Sequence, residues 1–122
     1  MTKEELVKII KDNFTNVDGD IDLRGLKFDT NIYLSDMKVK GNLYQSHQKV
    51  ENNLYQGNQK VKGKLFQSFQ KVKGDLFQSD QIVKNDLVQS EQKVKGELFQ
   101  ECQEVEGNLY QTYPRVEGKI YN

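Results

Sequence analysis

Along most of the chain one apolar residue returns every 11 positions, at Val39, Val50, Val61, Val72, Val83, Val94, Val105 and Val116. Leucine keeps the same beat four residues later, at Leu43, Leu54, Leu65, Leu76, Leu87, Leu98 and Leu109, and Ile120 closes the series. Read from valine, the unit is V-K-G-x-L-[FY]-Q-S-x-Q-K, and no unit has gained or lost a residue. The frame extends backward to Val17 with Ile21 and Phe28 with Ile32, which gives ten units over residues 17–122. Insertions are cheap in ordinary loops. A strict length therefore implies that each residue stands in register with its equivalent in a neighbouring unit, as in stacked repeats.

An 11-residue period is also the signature of a right-handed coiled coil, with valine and leucine on one helical stripe. The third position of the unit excludes it. That column reads Gly41, Asn52, Gly63, Gly74, Asn85, Gly96, Gly107 and Gly118, and each mid-helix glycine costs about 1 kcal/mol. Asn is the non-glycine residue that best tolerates positive φ, so a column of Gly and Asn predicts a left-handed backbone at each of these positions. The valine on one side and the leucine with its following aromatic on the other then read as short extended segments meeting at a corner.

Identical side chains in register favour an all-β fold, a parallel β-solenoid, in which Gln45, Gln56, Gln67, Gln78, Gln89, Gln100 and Gln111 form an amide ladder. A second glutamine column runs from Gln48 to Gln103. In the first units these columns hold Leu23, Leu26, Leu34 and Met37, so the glutamines are expected to face inward, where a ladder satisfies itself; solvated columns are the alternative. Two coil lengths fit. Twenty-two residues per coil give a rod of roughly 24 Å, and one unit per coil gives twice that. The longer coil is preferred, because 11 residues leave little room for two corners and an interior. An antiparallel meander is the remaining topology.

Residues Thr2 to Phe14 break the period and read as an amphipathic helix, with Thr2 and Glu5 in capping-box spacing and Leu6, Ile9, Ile10 and Phe14 on one side. Residues 1–16 are thus expected to form an α-helical cap on the first coil, ahead of a solenoid over 17–122. Val116, Ile120 and Tyr121 are expected to form an apolar last rung suited to a tail-to-tail homodimer.

Composition narrows the chemistry. A formal net charge of zero argues against a general polyanion binder, and no apolar stretch is long enough to span a bilayer. With no signal-peptide pattern at Met1 to Phe14 and Cys102 as the only cysteine, a soluble protein of the cytoplasm is expected. His47, the only histidine, shares a variable column with Asn58, Phe69, Asp80, Glu91, Cys102 and Tyr113, which reads as an exposed turn. Asp18, Asp20 and Asp22 have the alternate spacing of a calcium loop, but its required glycine is replaced by Leu23. Nothing matches a phosphate-cradling loop or a nucleophile with its base. No catalytic residue, metal site or cofactor is expected.

Two sets of side chains are candidates for binding. The aromatic column Tyr44, Tyr55, Phe66, Phe77, Phe99 and Tyr110 follows the leucines; it stands either as an exposed ladder for a partner or as part of the core. Lys60, Lys62, Lys71, Lys73, Lys84 and Lys95 form a basic band, read either as solvated charge or as a surface for nucleic acid.

The V-x-G-x-[LI] core, seen in Val39 to Leu43 and Val116 to Ile120, resembles the glycine-turn pattern of bactofilin-type β-helices, which implies self-assembly into polymers. Ile21 to Gly25 resembles a unit of the pentapeptide-repeat proteins. A small neutral rod of near-identical units is also similar in kind to phage-encoded inhibitors of a host enzyme or defence complex, such as anti-CRISPR proteins. The expectation is a non-enzymatic protein that presents a rigid surface to a protein partner, acting in a bacterial host's cytoplasm if phage-encoded. A self-assembling structural protein and a nucleic-acid binder are the alternatives.

Overall fold

The computed structural model describes residues 19–112 and 114–122. The expected cap over residues 1–16, with its helix from Thr2 to Phe14, lies outside the described residues. Each unit makes two strands of two residues, one holding the leucine and one ending in the valine. A two-residue strand is far too short to stand alone. It persists here because its partners lie 22 residues away on either side, parallel and in register, as Leu43 does with Ile21 and Leu65.

Two units therefore close one coil, and the coil has four sides. Ile21–Asp22, Leu43–Tyr44, Leu65–Phe66, Leu87–Val88 and Leu109–Tyr110 stack into the first sheet. The second stacks Lys27–Phe28, Lys49–Val50, Lys71–Val72, Lys93–Val94 and Arg115–Val116. The third, opposite the first, stacks Ile32–Tyr33, Leu54–Tyr55, Leu76–Phe77, Leu98–Phe99 and Ile120–Tyr121. The fourth, opposite the second, stacks Lys38–Val39, Lys60–Val61, Ile82–Val83 and Glu104–Val105. All pairings are parallel, which establishes the solenoid and removes the antiparallel meander.

Alternation within each strand sorts the faces. Leu43, Leu54, Leu65, Leu76, Leu87 and Leu98 are fully buried, and the valines from Val39 to Val94 are 0–3% exposed. Burial of each such side chain stabilises by about 1.5–3 kcal/mol. The glutamines turn inward and are as buried as the leucines from Gln45 to Gln92. They bond along the axis in columns: Gln67 donates to Gln45 and Gln89 to Gln67, while Gln92 donates to Gln70 and Gln70 to Gln48. Gln56 and Gln70 also exchange bonds across the interior, as do Gln78 and Gln92. The interior is thus a band of apolar columns with a self-paired amide lattice between them.

The corners correct one expectation. No residue of the Gly41 column from Gly41 onward has positive φ. The left-handed residues are instead Asp36, His47, Asn58, Phe69, Asp80, Glu91 and Cys102, with Gly25 at the same position in the first coil. They turn the chain from the first sheet to the second and from the third to the fourth. Glycine recurs at the other corners because stacked backbones come too close for a side chain. A Cβ on Gly63 would sit 2.7 Å from the carbonyl oxygen of Gly41, and one on Gly74 would sit 2.8 Å from that of Asn52. The close approach lets Gly63 N donate to Gly41 O at 3.0 Å and Gly74 N to Asn52 O at 3.0 Å.

The residue after that glycine completes the corner. Asn42 Oδ1 accepts from Lys64 N in the next coil, and Asn53 Oδ1 and Asp75 Oδ1 do the same for Asp75 N and Glu97 N. Lys64 interrupts this row and offers no acceptor. In the following coil Asn85 supplies one itself, its Oδ1 accepting from Asp86 N at 3.0 Å.

Candidate functional site

The 22-residue coil distributes the candidate residues over different walls. Tyr44, Phe66 and Tyr110 stand on the first sheet, whereas Tyr55, Phe77 and Phe99 stand on the third, on the opposite side. They lie on the outer faces of the strands, Tyr110 exposed and the other five half-buried. On the third sheet Tyr33, Tyr55, Phe77, Phe99 and Tyr121 form an unbroken ladder, with ring centroids 4.6–4.9 Å apart and planes within 7°. Parallel in-register strands impose that spacing on any identical side chains, and ring stacking adds about 0.5–1.5 kcal/mol per pair. On the first sheet Tyr44 stacks on Phe66 at 5.1 Å, and Val88 interrupts the series.

At the near end of that shorter ladder Arg24 lies over the Tyr44 ring at 4.8 Å while bonding Asp22 through both carboxylate oxygens. The hydrogen bond from Arg24 holds the Asp22 carboxyl below its ordinary value.

The lysines divide in the same way. Lys60, Lys62 and Lys84 belong to the fourth sheet and its following corner, and Lys71, Lys73 and Lys95 to the second. The basic band is therefore two groups on opposite walls. Two of its members pair with a carboxylate in an adjacent coil: Lys73 meets Glu51 at 2.6 Å and Lys84 meets Glu106 at 3.0 Å.

The second sheet shows what linear sequence concealed. Its outward column is Lys27, Lys49, Lys71, Lys93 and Arg115, every member exposed and paired in register with the next. Beside it, at the left-handed corner, His47 stacks on Phe69 with centroids 4.9 Å apart. Between the cations and these corner side chains runs a groove of about 760 Å³, lined also by Glu91 and Thr112. The signal in the sequence was a 22-residue beat in one lysine column, invisible while the coil length was open.

In the last coil Leu109 is 50% exposed and Ile120 39%, although their columns are buried elsewhere. Val116 is half-buried and packs against the core, and Tyr121 ends the aromatic ladder. Among the described residues no helix is long and apolar enough to cross a membrane. Comparison of the chain with protein-family models, with curated proteins and with solved structures finds no match.

Proposed function

We propose that this chain is a non-enzymatic binding protein whose outer walls engage a protein partner. The observation that carries the proposal is the five-ring ladder from Tyr33 to Tyr121 on the third sheet. It is flat, rigid and outward-facing, and aromatic side chains of this kind supply contact area at low entropic cost. Coils locked by backbone bonds, a close glycine corner and an amide interior hold the rings in place without a partner, so little ordering entropy remains to oppose association. An inhibitor of a host enzyme or defence complex, of the phage-encoded kind, is a role that such a preformed surface suits.

The test replaces Phe77 and Phe99 by Thr, which keeps strand propensity and removes the rings. Affinity capture from bacterial lysate should give the wild-type chain a discrete stoichiometric protein that the double variant, unchanged in circular dichroism, does not retain. Equal retention by both would remove the ladder from the interaction.

Exposure of Leu109 and Ile120 favours a second reading, end-to-end association through Val116, Ile120 and Tyr121. The polymer-forming role implied by the bactofilin resemblance and a tail-to-tail homodimer are its two forms. Sedimentation velocity separates them: open-ended growth with concentration supports the polymer, and a single discrete dimer the homodimer.

A further inference from the structure

The second sheet differs from every other lysine-bearing wall. Elsewhere a lysine column is broken by an acidic or apolar residue in another coil, as Lys38 and Lys60 are followed by Ile82 and Glu104, and Lys62 and Lys84 by Glu106. Only Lys27, Lys49, Lys71, Lys93 and Arg115 keep one sign through five strands. None of the five makes an ion pair among the described residues. Like charges stacked at about 4.8 Å repel one another, so the row is a standing cost to the free protein that an anion would relieve.

A second observation lies at the adjoining corner. His47, Phe69 and Glu91 hold positive φ at 63°, 59° and 56°, although Gly25 shows that glycine serves the same corner. Left-handed backbone is disfavoured for a non-glycine residue, whose Cβ crowds the following carbonyl oxygen. Two of these strained positions place stacked rings along the groove opposite the cations, with Phe69 44% exposed. The same left-handed turn recurs at Asp36, Asn58, Asp80 and Cys102 on the opposite corner, so what sets this corner apart is the stacked ring pair beside the unpaired cation row.

We propose that this groove binds an extended acidic segment of a polypeptide, lying parallel to the solenoid axis with its carboxylates on the cation row and an apolar side chain against His47 and Phe69. This rests on the protein-binding function proposed above and specifies the chemistry of the partner. The row spans roughly 19 Å over five coils, which an extended chain covers with about six residues. Alternate residues of such a strand face the same way roughly 6.6 Å apart, a spacing that flexible lysine stems meet. The column two residues beyond it has mixed sign, Asp29, Glu51, Lys73, Lys95 and Glu117, with Lys73 held by Glu51. Glu91 stands in the groove, and the whole chain is neutral. Carboxylates on both sides of the cation row suit a single acidic strand and disfavour the broad phosphate surface of a nucleic acid, which draws on many cations at once.

The test uses the full chain and fluorescently labelled poly-L-glutamate, followed by anisotropy at low ionic strength. One double variant, Lys71→Gln with Lys93→Gln, removes charge from the groove. A second, Lys60→Gln with Lys62→Gln, removes the same charge from the opposite wall. Groove substitution should weaken binding about tenfold and the opposite-wall substitution less than about twofold. Equal losses, or no binding by the wild type, would overturn the proposal. Tighter, groove-dependent binding of labelled single-stranded oligothymidylate would also overturn it and assign the groove to nucleic acid. If poly-glutamate fails to bind while capture still depends on Phe77 and Phe99, the acidic segment is wrong and the protein-binding function stands.

Discussion

The side-chain amide nitrogen of Gln45 has no acceptor because the residue one coil before it is Leu23. Gln48 stands in the same relation to Leu26. Both ladders donate toward the N-terminal coil and end on an orphan where glutamine gives way to leucine, whereas Gln59, one coil after Met37, donates to the Leu34 carbonyl instead. Position along the ladder should therefore decide the effect of a substitution. Gln45→Leu moves the orphan to Gln67 and is expected to change stability by less than about 1 kcal/mol. Gln67→Leu strips Gln45 of its only side-chain bond and leaves the Gln89 amide nitrogen with a 3.5 Å contact to Gln81; its expected cost is about 1–3 kcal/mol. Urea denaturation of the two variants measures the difference, and equal effects would refute the directional ladder.

Gly63→Ala is expected to destabilise by about 1–3 kcal/mol through overpacking, although φ at this position is ordinary. The new methyl meets the Gly41 carbonyl and should break the Gly63 N to Gly41 O bond. Hydrogen exchange of the Gly63 amide reports that loss directly.

Glu91→Gly should have the opposite sign. It relieves left-handed strain of about 1–2 kcal/mol, against a glycine entropy cost of about 0.5–1 kcal/mol. A net gain of roughly 0.5–1 kcal/mol is expected in thermal denaturation. Because Glu91 lines the groove, the same change should tighten poly-glutamate binding.

Val88→Phe fills the gap between Phe66 and Tyr110, its register partners on either side. Bridging the two rings should stabilise by about 0.5–1.5 kcal/mol and strengthen the near-ultraviolet circular dichroism of the aromatic groups. A loss of stability would show that the first sheet cannot seat a ring at this level.

The valine and leucine columns were legible because each does one job in every unit, filling the interior beside a copy of itself. The inward glutamines were legible through Leu23, Leu26, Leu34 and Met37, which betray an apolar environment at the same positions. The corner chirality was not. Close approach of stacked backbones selects glycine at Gly63 as firmly as positive φ would, whereas the left-handed corner admits His47, Phe69 and Glu91 because a Cβ there meets no neighbouring coil, as at Gly25. Coil length stayed open because the two halves of a coil offer equivalent interiors, so core columns carry no 22-residue beat. The charged face was hidden for the same reason: Lys60 and Lys71 hold the same place in successive units and stand on opposite walls in space.

Half-coil units also constrain how such a chain can change length. Inserting or deleting one 11-residue unit would keep the valine, leucine and glutamine columns stacked but turn all following residues through half a revolution. The cations of the second sheet would then continue on the fourth, and the ladder of the third on the first. Duplication of two units at a time leaves both stripes straight. The inside of this molecule thus counts in ones and its outside in twos. Selection acting only on folding would permit odd numbers of added units, and selection on a recognised surface would permit only even ones.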